Sequence, residues 1–384
     1  MLNFTYKNQT EILFGKGQVA AISQRIPTSA RILMLYGGGS IKSNGVYQQV
    51  QQALSQHQVW EFGGVEPNPS YETLMQAVAL GREQHIDFIL AVGGGSAIDG
   101  AKFIAAALHF SGDPWDILIA KAKFTQVIPI GAVLTLPATG SESNGNSVVT
   151  KKATAQKRSF SSTLVQPQFA VLDPEFTYSL PKRQISNGIV DAFVHVMEQY
   201  LTYPVHAEIQ DRFAESILQT LLDVGPKALK QPENYQHRAN LMWAASMALN
   251  GLIGAGVPQD WSTHMIGHEL TALYGLDHAQ TLAIVLPALM FVQRHQKHAK
   301  LVQLGRRVFA IHDQNEDVVI DQTIKAVQDF FETVGVKTRL SDYQLDGQVV
   351  QNVVNNLERN GMTALGERND IDLKKAAAIL RLAL

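Results

Sequence analysis

Twice in the first hundred residues an apolar run stops at three glycines and a serine. Arg31-Ile-Leu-Met-Leu-Tyr36 enters Gly37-Gly38-Gly39-Ser40, and Asp87-Phe-Ile-Leu-Ala-Val92 enters Gly93-Gly94-Gly95-Ser96. A helical pattern follows each loop. A third such run, Val127 to Leu134, leads into Thr135-Leu-Pro-Ala-Thr-Gly-Ser-Glu-Ser-Asn144. Short β-branched runs alternating with helical patterns are the signature of a parallel sheet assembled from βα units. The punctuation therefore predicts a Rossmann-like α/β fold for the first half of the chain.

From about Arg183 the pattern changes to long 3.6-residue periodicity with little strand signal, as in ISNGIVDAFVHVMEQYL and RANLMWAASMALNGLIG. Pro174 and Pro181 bracket the change. At 384 residues the chain exceeds the size at which one core keeps growing. Two domains are expected, an α/β domain over 1–182 and an all-helical domain over 183–384.

Only 17% of residues are charged and 46% are hydrophobic, enough to bury large cores. The net charge of -2, without long basic runs, excludes nucleic acid and anionic membrane as natural partners. The opening MLNFTYKNQTEILFGKG is mixed and polar, and the longest apolar stretch, Leu282 to Val292, is too short to span a bilayer and holds Pro287. A cytoplasmic protein is expected. There is no cysteine, so any metal must be held by nitrogen and oxygen.

A strand ending in glycines ahead of a helix suits phosphate, because the backbone can approach closely and the helix offers free N–H groups. Neither loop is a strict G-x-G-x-x-G, since Lys42 and Ile98 stand at the third-glycine positions. A single loop reads equally well as a tight turn, with Ser96 as N-cap and Asp99 at capping-box spacing. Two loops and the ATGSE segment together favour a dinucleotide. NAD sites usually place an acid near a strand end to receive the ribose hydroxyl. Here no acid follows Tyr36 until Glu61, while Ser40 and Lys42 lie close by, which favours a 2'-phosphate and hence NADP(H).

In the second half, Asp191 and His195 stand at i and i+4 of an apolar helix, within reach of one ion. A buried carboxylate is costly unless paired or metal-bound. The bland reading is an Asp191–His195 ion pair. His264 and His268 repeat the spacing on another helix, and His278 opens the next. From His264 to Tyr274 is ~15 Å of helix axis and four extended residues return at most ~14 Å. Meeting His264 from His278 therefore asks the helix to end near Ala272, and His268 is a rival ligand on geometry alone. One carboxylate with imidazoles suits Zn²⁺ or Fe²⁺. A metal beside a dinucleotide is placed to polarise a carbonyl.

The combination of GGGS, TLPATGSESN, VDAFVHVMEQY and GHELTALYGLDHAQTLAIVLP resembles the iron-containing (group III) metal-dependent alcohol dehydrogenases over nearly the full chain. Within them it is most similar to the bacterial NADP-dependent, broad-specificity aldehyde reductases, also called butanol dehydrogenases. The resemblance implies a dehydroquinate-synthase-like dinucleotide domain, a helical domain and a catalytic metal in the cleft between them. It also implies at least a dimer. By motif, the metal ligands fall on Asp191, His195, His264 and His278, and His268 matches a histidine near the nicotinamide that is not a ligand. Cofactor contacts fall on Gly37, Gly38, Gly39, Ser40, Asn68, Gly94, Gly95, Ser96, Asp99, Thr135, Thr139, Ser141 and Lys157. Zinc-containing and iron-containing members resemble each other at all four ligands.

The implied activity is hydride transfer between NADPH and short or medium-chain aldehydes or the matching alcohols. His268 would orient substrate or pass a proton. Two rivals are a dehydroquinate-synthase-like sugar-phosphate lyase and a protein with a purely structural metal. The lyase would need Lys or Arg near the ligands, and residues 184–211 and 239–293 contain neither.

Overall fold

The computed structural model describes residues 1–120 and 122–384. They form two compact units. One comprises Lys7–Leu180 with Pro232–Ser246; the other comprises Met1–Tyr6, Pro181–Gln231 and Met247–Leu384. A contiguous division at 182 differs from these units in Met1–Tyr6, in Pro232–Ser246 and by two residues, Pro181 and Lys182, at the boundary.

The first unit holds strands β1 (Glu11–Phe14), β2 (Arg31–Tyr36), β3 (Gln58–Phe62), β4 (Phe88–Gly94), β5 (Ile130–Leu136), β6 (Asn146–Lys151), β7 (Gln156–Ser161) and β8 (Phe169–Leu172). Six of them make one sheet in the order β1-β8-β5-β4-β2-β3, every pairing parallel. Its central strands are apolar on both sides because both faces are covered. Leu33, Leu35, Ile89 and Ala91 enter one core, while Ile32, Met34, Leu90 and Val92 enter the other. That alternation is the period of two expected of a strand.

The chain runs from β2 outward to β3, then returns to pair β4 on the other side of β2. Adjacent connections therefore leave the carboxyl ends of β2 and β4 in opposite directions. Such a reversal opens the crevice where doubly wound sheets bind ligands. Tyr36 and Val92 are register partners, so both glycine loops start side by side.

Two details depart from the sequence reading. In the third apolar run the strand, β5, starts at Ile130 rather than Val127, after Pro129, which has no N–H to donate. The antiparallel pair β6–β7 carries no apolar alternation to mark it in the sequence, since its strands are largely polar.

The second unit is helical. Its first helix, Lys182–Tyr200, begins directly after Pro181 and is buried along most of its length. The helix Ser262–Tyr274 ends at Gly275, whose φ of 70° is the left-handed conformation that glycine adopts without strain. The helix His278–Val292 follows at once, started by a reciprocal capping box between Asp277 and Gln280. The expected early end near Ala272 is therefore corrected: the helix runs two residues further, and the length of the imidazole side chains makes up the reach. Ile266, Leu270, Ile284, Val285 and Leu289 pack these two helices into a shared core with Leu357 and Leu380. Among the described residues no helix is long and apolar enough to cross a membrane.

Candidate functional site

In the sheet unit, the loop after β2 lies open. Gly38 and Ser40 are exposed, and Gly39 takes a φ of 96° as the N-cap of the short helix Ser40–Ser43. A Cβ at Gly38 or Gly39 would meet nothing within 4 Å, and one at Gly37 would stand 3.3 Å from the Val65 carbonyl.

The loop after β4 is enclosed. A Cβ on Gly94 would stand 3.0 Å from that of Leu136, and one on Gly95 would be 2.5 Å from Thr139 Oγ1. The helix here spans Gly95–Ala107 with Gly94 as N-cap, so Ser96 is not the N-cap. Asp99 does not close a capping box either. Its carboxylate accepts a hydrogen bond from Ser141 Oγ at 2.6 Å and from the Val148 N–H at 3.0 Å.

Beneath this loop lies a charged network absent from the sequence reading. Lys102, fully buried, donates to Ser141 Oγ at 2.8 Å, Asn144 Oδ1 at 3.1 Å and the Asn146 carbonyl at 2.7 Å. Burial pushes its ammonium down to about 8, opposed by Asp99 and Glu142. Burial pushes the Asp99 and Glu142 carboxyls up. Glu142 is held by the Ser246 hydroxyl.

Of the other expected cofactor contacts, Lys157 on β7 donates to Asn68 Oδ1 at 2.8 Å, and Asn68 has a φ of 56°. Thr135 is buried on β5. Ser141 N–H donates to Thr139 Oγ1 at 3.2 Å within the ATGSE segment, and Ser141 Oγ on Asp99 ties that segment to the helix after the enclosed loop.

Glu61 is nearer the open loop than its sequence distance suggests. It sits on β3 beside β2 and accepts from Tyr36 at 3.0 Å, Tyr47 at 2.5 Å and Gln51 at 3.1 Å, with Lys42 Nζ 3.5 Å away. These donors hold its carboxyl below the usual range against the opposing effect of burial.

In the helical unit, Asp191, His195 and His264 are buried and offer ligand atoms that all lie within 4.8 Å of one another. Asp191 Oδ1 lies 3.5 Å from His195 Nε2, 3.9 Å from His264 Nε2 and 3.5 Å from His278 Nε2. That oxygen is buried without a hydrogen bond. A tetrahedral shell with metal–nitrogen bonds of roughly 2.1 Å sets neighbouring ligand atoms about 3.4 Å apart. The donor set and its spacing fit a divalent cation. The His268 ring centroid is 6.1 Å from that of His264 and 5.3 Å from that of His278, so His268 stands at the edge of the same cluster.

Two neighbours were missed in the sequence. Glu198, buried, accepts from the Thr263 N–H at 2.6 Å and the His264 N–H at 3.3 Å and meets His264 Nδ1. Burial, and then Asp260, pushes its carboxyl up, while the Thr263 and His264 N–H groups and His195 oppose that shift and favour the carboxylate. Its position three residues after His195, on a helix with apolar surroundings, was the available signal. Trp261, with ring centroids 5.3 Å from His264 and 6.2 Å from His195, has a φ of 64°, rare for a bulky residue.

Comparison with known proteins converges on one group. The family model described as iron-containing alcohol dehydrogenase matches residues 9–174, and that of the Fe-containing alcohol dehydrogenase family, C-terminal, matches residues 185–377. The NADPH-dependent aldehyde reductase YqhD of Escherichia coli K12 is 59% identical, with 100% of both chains covered. A crystal structure of E. coli K-12 YqhD superposes with a TM-score of 0.99 at 58% identity, covering 100% of this chain and 99% of that one. NADH-dependent butanol dehydrogenase A from Thermotoga maritima superposes with a TM-score of 0.95 at 35% identity, covering 100% of this chain and 99% of that one.

Proposed function

Since the chain belongs to the iron-containing alcohol dehydrogenase family, we propose that it is an NADPH-dependent oxidoreductase that reduces short and medium-chain aldehydes, reversibly, at one divalent metal site. The observation that carries this reading is Asp191 Oδ1, buried without a hydrogen bond, with three imidazole nitrogens around it. Asp191, His195, His264 and His278 would hold the metal. When bound, the metal supplies Lewis acidity toward a carbonyl and NADPH supplies the hydride.

The remaining tasks belong to the chain's own side chains. His268 holds a proton at the imidazole for the alcohol oxygen, a general-acid task that imidazole nitrogens can perform. The loops after β2 and β4, with Asn68, Thr135, Thr139, Ser141 and Lys157, bind the dinucleotide. The absence of an acid in Gly37–Ser40 supports NADPH over NADH. The apolar, Lys- and Arg-free stretches around the ligands support an uncharged substrate, with weak discrimination by chain length. The native metal is proposed as zinc or iron, and the working form as a cytoplasmic homodimer, on family resemblance.

The test is NADPH oxidation by the purified protein with short aldehydes, sugar phosphates and no substrate, beside elemental analysis. Aldehyde-dependent oxidation with stoichiometric metal is expected. His278→Ala is expected to lose metal, whereas His268→Ala keeps metal and slows reduction. Turnover of a sugar phosphate without net NADPH consumption, or full activity in metal-free protein, overturns the reading.

A further inference from the structure

We propose that Glu198 is the positioning residue for His264: one carboxylate oxygen caps the His264 helix while the other holds Nδ1, which turns Nε2 toward Asp191. The inference rests on the reading of Asp191, His195, His264 and His278 as a metal site.

The helix Ser262–Tyr274 starts badly on its own. Trp261 is its N-cap residue, caps none of the helix N–H groups with its side chain, and is followed by no acid in the first turn. The first N–H groups of a helix have no intrahelical partner and need one from outside. Asp260 Oδ1 serves the Ser262 N–H at 2.8 Å. Glu198 Oε1 serves the next two, Thr263 at 2.6 Å and His264 at 3.3 Å. A cap normally supplied from within the chain's own turn thus comes from another helix, the one that carries Asp191 and His195.

The second oxygen is spent differently. Glu198 Oε2 meets His264 Nδ1. The only arrangement that leaves Nε2 a lone pair for a metal keeps the hydrogen on Nδ1, donated to a Glu198 carboxylate oxygen. With Nδ1 fixed, Nε2 lies 3.9 Å from Asp191 Oδ1. Glu198 stands seven residues beyond Asp191 on one helix, so the same side chain sets the register between the helix that bears two proposed ligands and the helix that bears the third.

Glutamine cannot do both tasks. Glu198→Gln has one acceptor oxygen and one NH₂ group. With its oxygen on the Thr263 and His264 N–H groups, its NH₂ donates to Nδ1, and the ring must carry its hydrogen on Nε2, closed to metal. With its oxygen on Nδ1–H, its NH₂ faces two backbone donors. Glu198→Asp keeps two acceptors on a shorter arm.

The experiment strips the full-length protein of metal and titrates it with Co²⁺ against a competing chelator. For Glu198→Gln, Co²⁺ affinity is expected to fall roughly 10- to 100-fold, as for other outer partners of metal-ligating histidines. The visible cobalt spectrum should change, the metal-free melting temperature should stay within about 2 °C, and Glu198→Asp should recover most of the affinity. Unchanged affinity and spectrum in the glutamine variant overturn the inference alone. So does an equal loss in both variants with melting of the metal-free protein, which marks a merely structural residue. If the unsubstituted protein takes up no Co²⁺, the metal reading falls and this inference with it. An independent measurement needs no variant: the imidazole nitrogen shifts of the Zn²⁺-loaded protein should report a protonated Nδ1 on His264, and an unprotonated Nδ1 overturns the assignment.

Discussion

The loops after β2 and β4 have the same four residues, Gly-Gly-Gly-Ser, and opposite surroundings. Around Gly38 and Gly39 an added Cβ would find open space, whereas at Gly94 and Gly95 it would strike Leu136 and Thr139. Glycine is therefore present for two reasons. In the first loop, Gly39 is needed for its left-handed φ and the loop stays accessible. In the second, the start of the helix Gly95–Ala107 lies so close to the end of β5 and the following segment that side chains do not fit. The charged groups differ in the same way: Lys42 and Glu61 by the first loop are partly exposed, while Lys102 beneath the second is fully buried.

The largest expected effect concerns Lys102. Its folded value of about 8 lies below the ordinary 10.5, so the unfolded chain binds a proton that the folded protein has released between those limits. Stability then rises with pH across that window, by at most roughly 1.4 kcal/mol per pH unit, and the burial penalty is felt in full below pH 8. Lys102→Met removes this slope. The measurement is the difference in unfolding free energy between the two proteins at several pH values between about 8 and 10.5; the difference cancels the titrating groups that Lys102 does not influence, and the window lies above the range where Asp99 and Glu142 ordinarily ionise. A pH-independent difference would place Lys102 on the same footing as the exposed Lys42.

Next come the glycines themselves. Gly95→Ala is expected to lower unfolding stability by about 1–3 kcal/mol, as overpacking does, and to displace Thr139 with loss of NADPH binding. Gly38→Ala is expected to stay within about 0.5 kcal/mol of the unsubstituted protein. Urea unfolding and NADPH fluorescence titration of both variants read the contrast directly, and equal costs would mean that the loops are not different after all.

A carboxylate in the open loop tests its role in cofactor choice. Gly39→Asp combines strain at a φ of 96° with negative charge, so Gly39→Ala, with the strain alone, is the reference. Relative to alanine, aspartate is expected to weaken NADPH about tenfold, roughly 1.4 kcal/mol, and to leave NADH little changed. Equal losses for the two dinucleotides would remove the 2'-phosphate from this loop.

Much of this was legible in the sequence because it is local. Apolar runs that end in glycine located β2 and β4, and the i, i+4 spacing found Asp191 and His195. What escaped depends on neighbours distant in the chain. The identical GGGS loops cannot be told apart without Leu136 and Thr139, residues of another strand and its exit. Glu198 stood in plain view, but its role depends on N–H groups 65 and 66 positions away. The polar strands β6 and β7 lack the apolar alternation that marks a half-buried strand. Spacing leaves His268 and His278 as rivals, because it fixes neither where one helix ends nor how far a side chain reaches.

The smallest effects should come from the exposed pair beside the open loop, and they carry opposite signs. Lys42 Nζ is 3.5 Å from Glu61 and lies over the Tyr36 and Tyr47 rings, 5.1 and 4.9 Å from their centroids. Half-exposed pairs of this kind contribute little to stability and are screened by salt, so neither substitution should change unfolding much. Cofactor affinity is the sensitive readout, because on the proposed reading a 2'-phosphate would compete with Glu61 for the same ammonium. Lys42→Ala removes that cation and exposes the Glu61 charge, so NADPH should bind a few-fold more weakly while NADH is unaffected. Glu61→Gln releases Lys42 from its rival, so NADPH should bind a few-fold more tightly. Both changes should shrink together as ionic strength rises. Shifts of the same sign, or shifts indifferent to salt, would show that the pair supports the loop by packing and has no part in reading the phosphate.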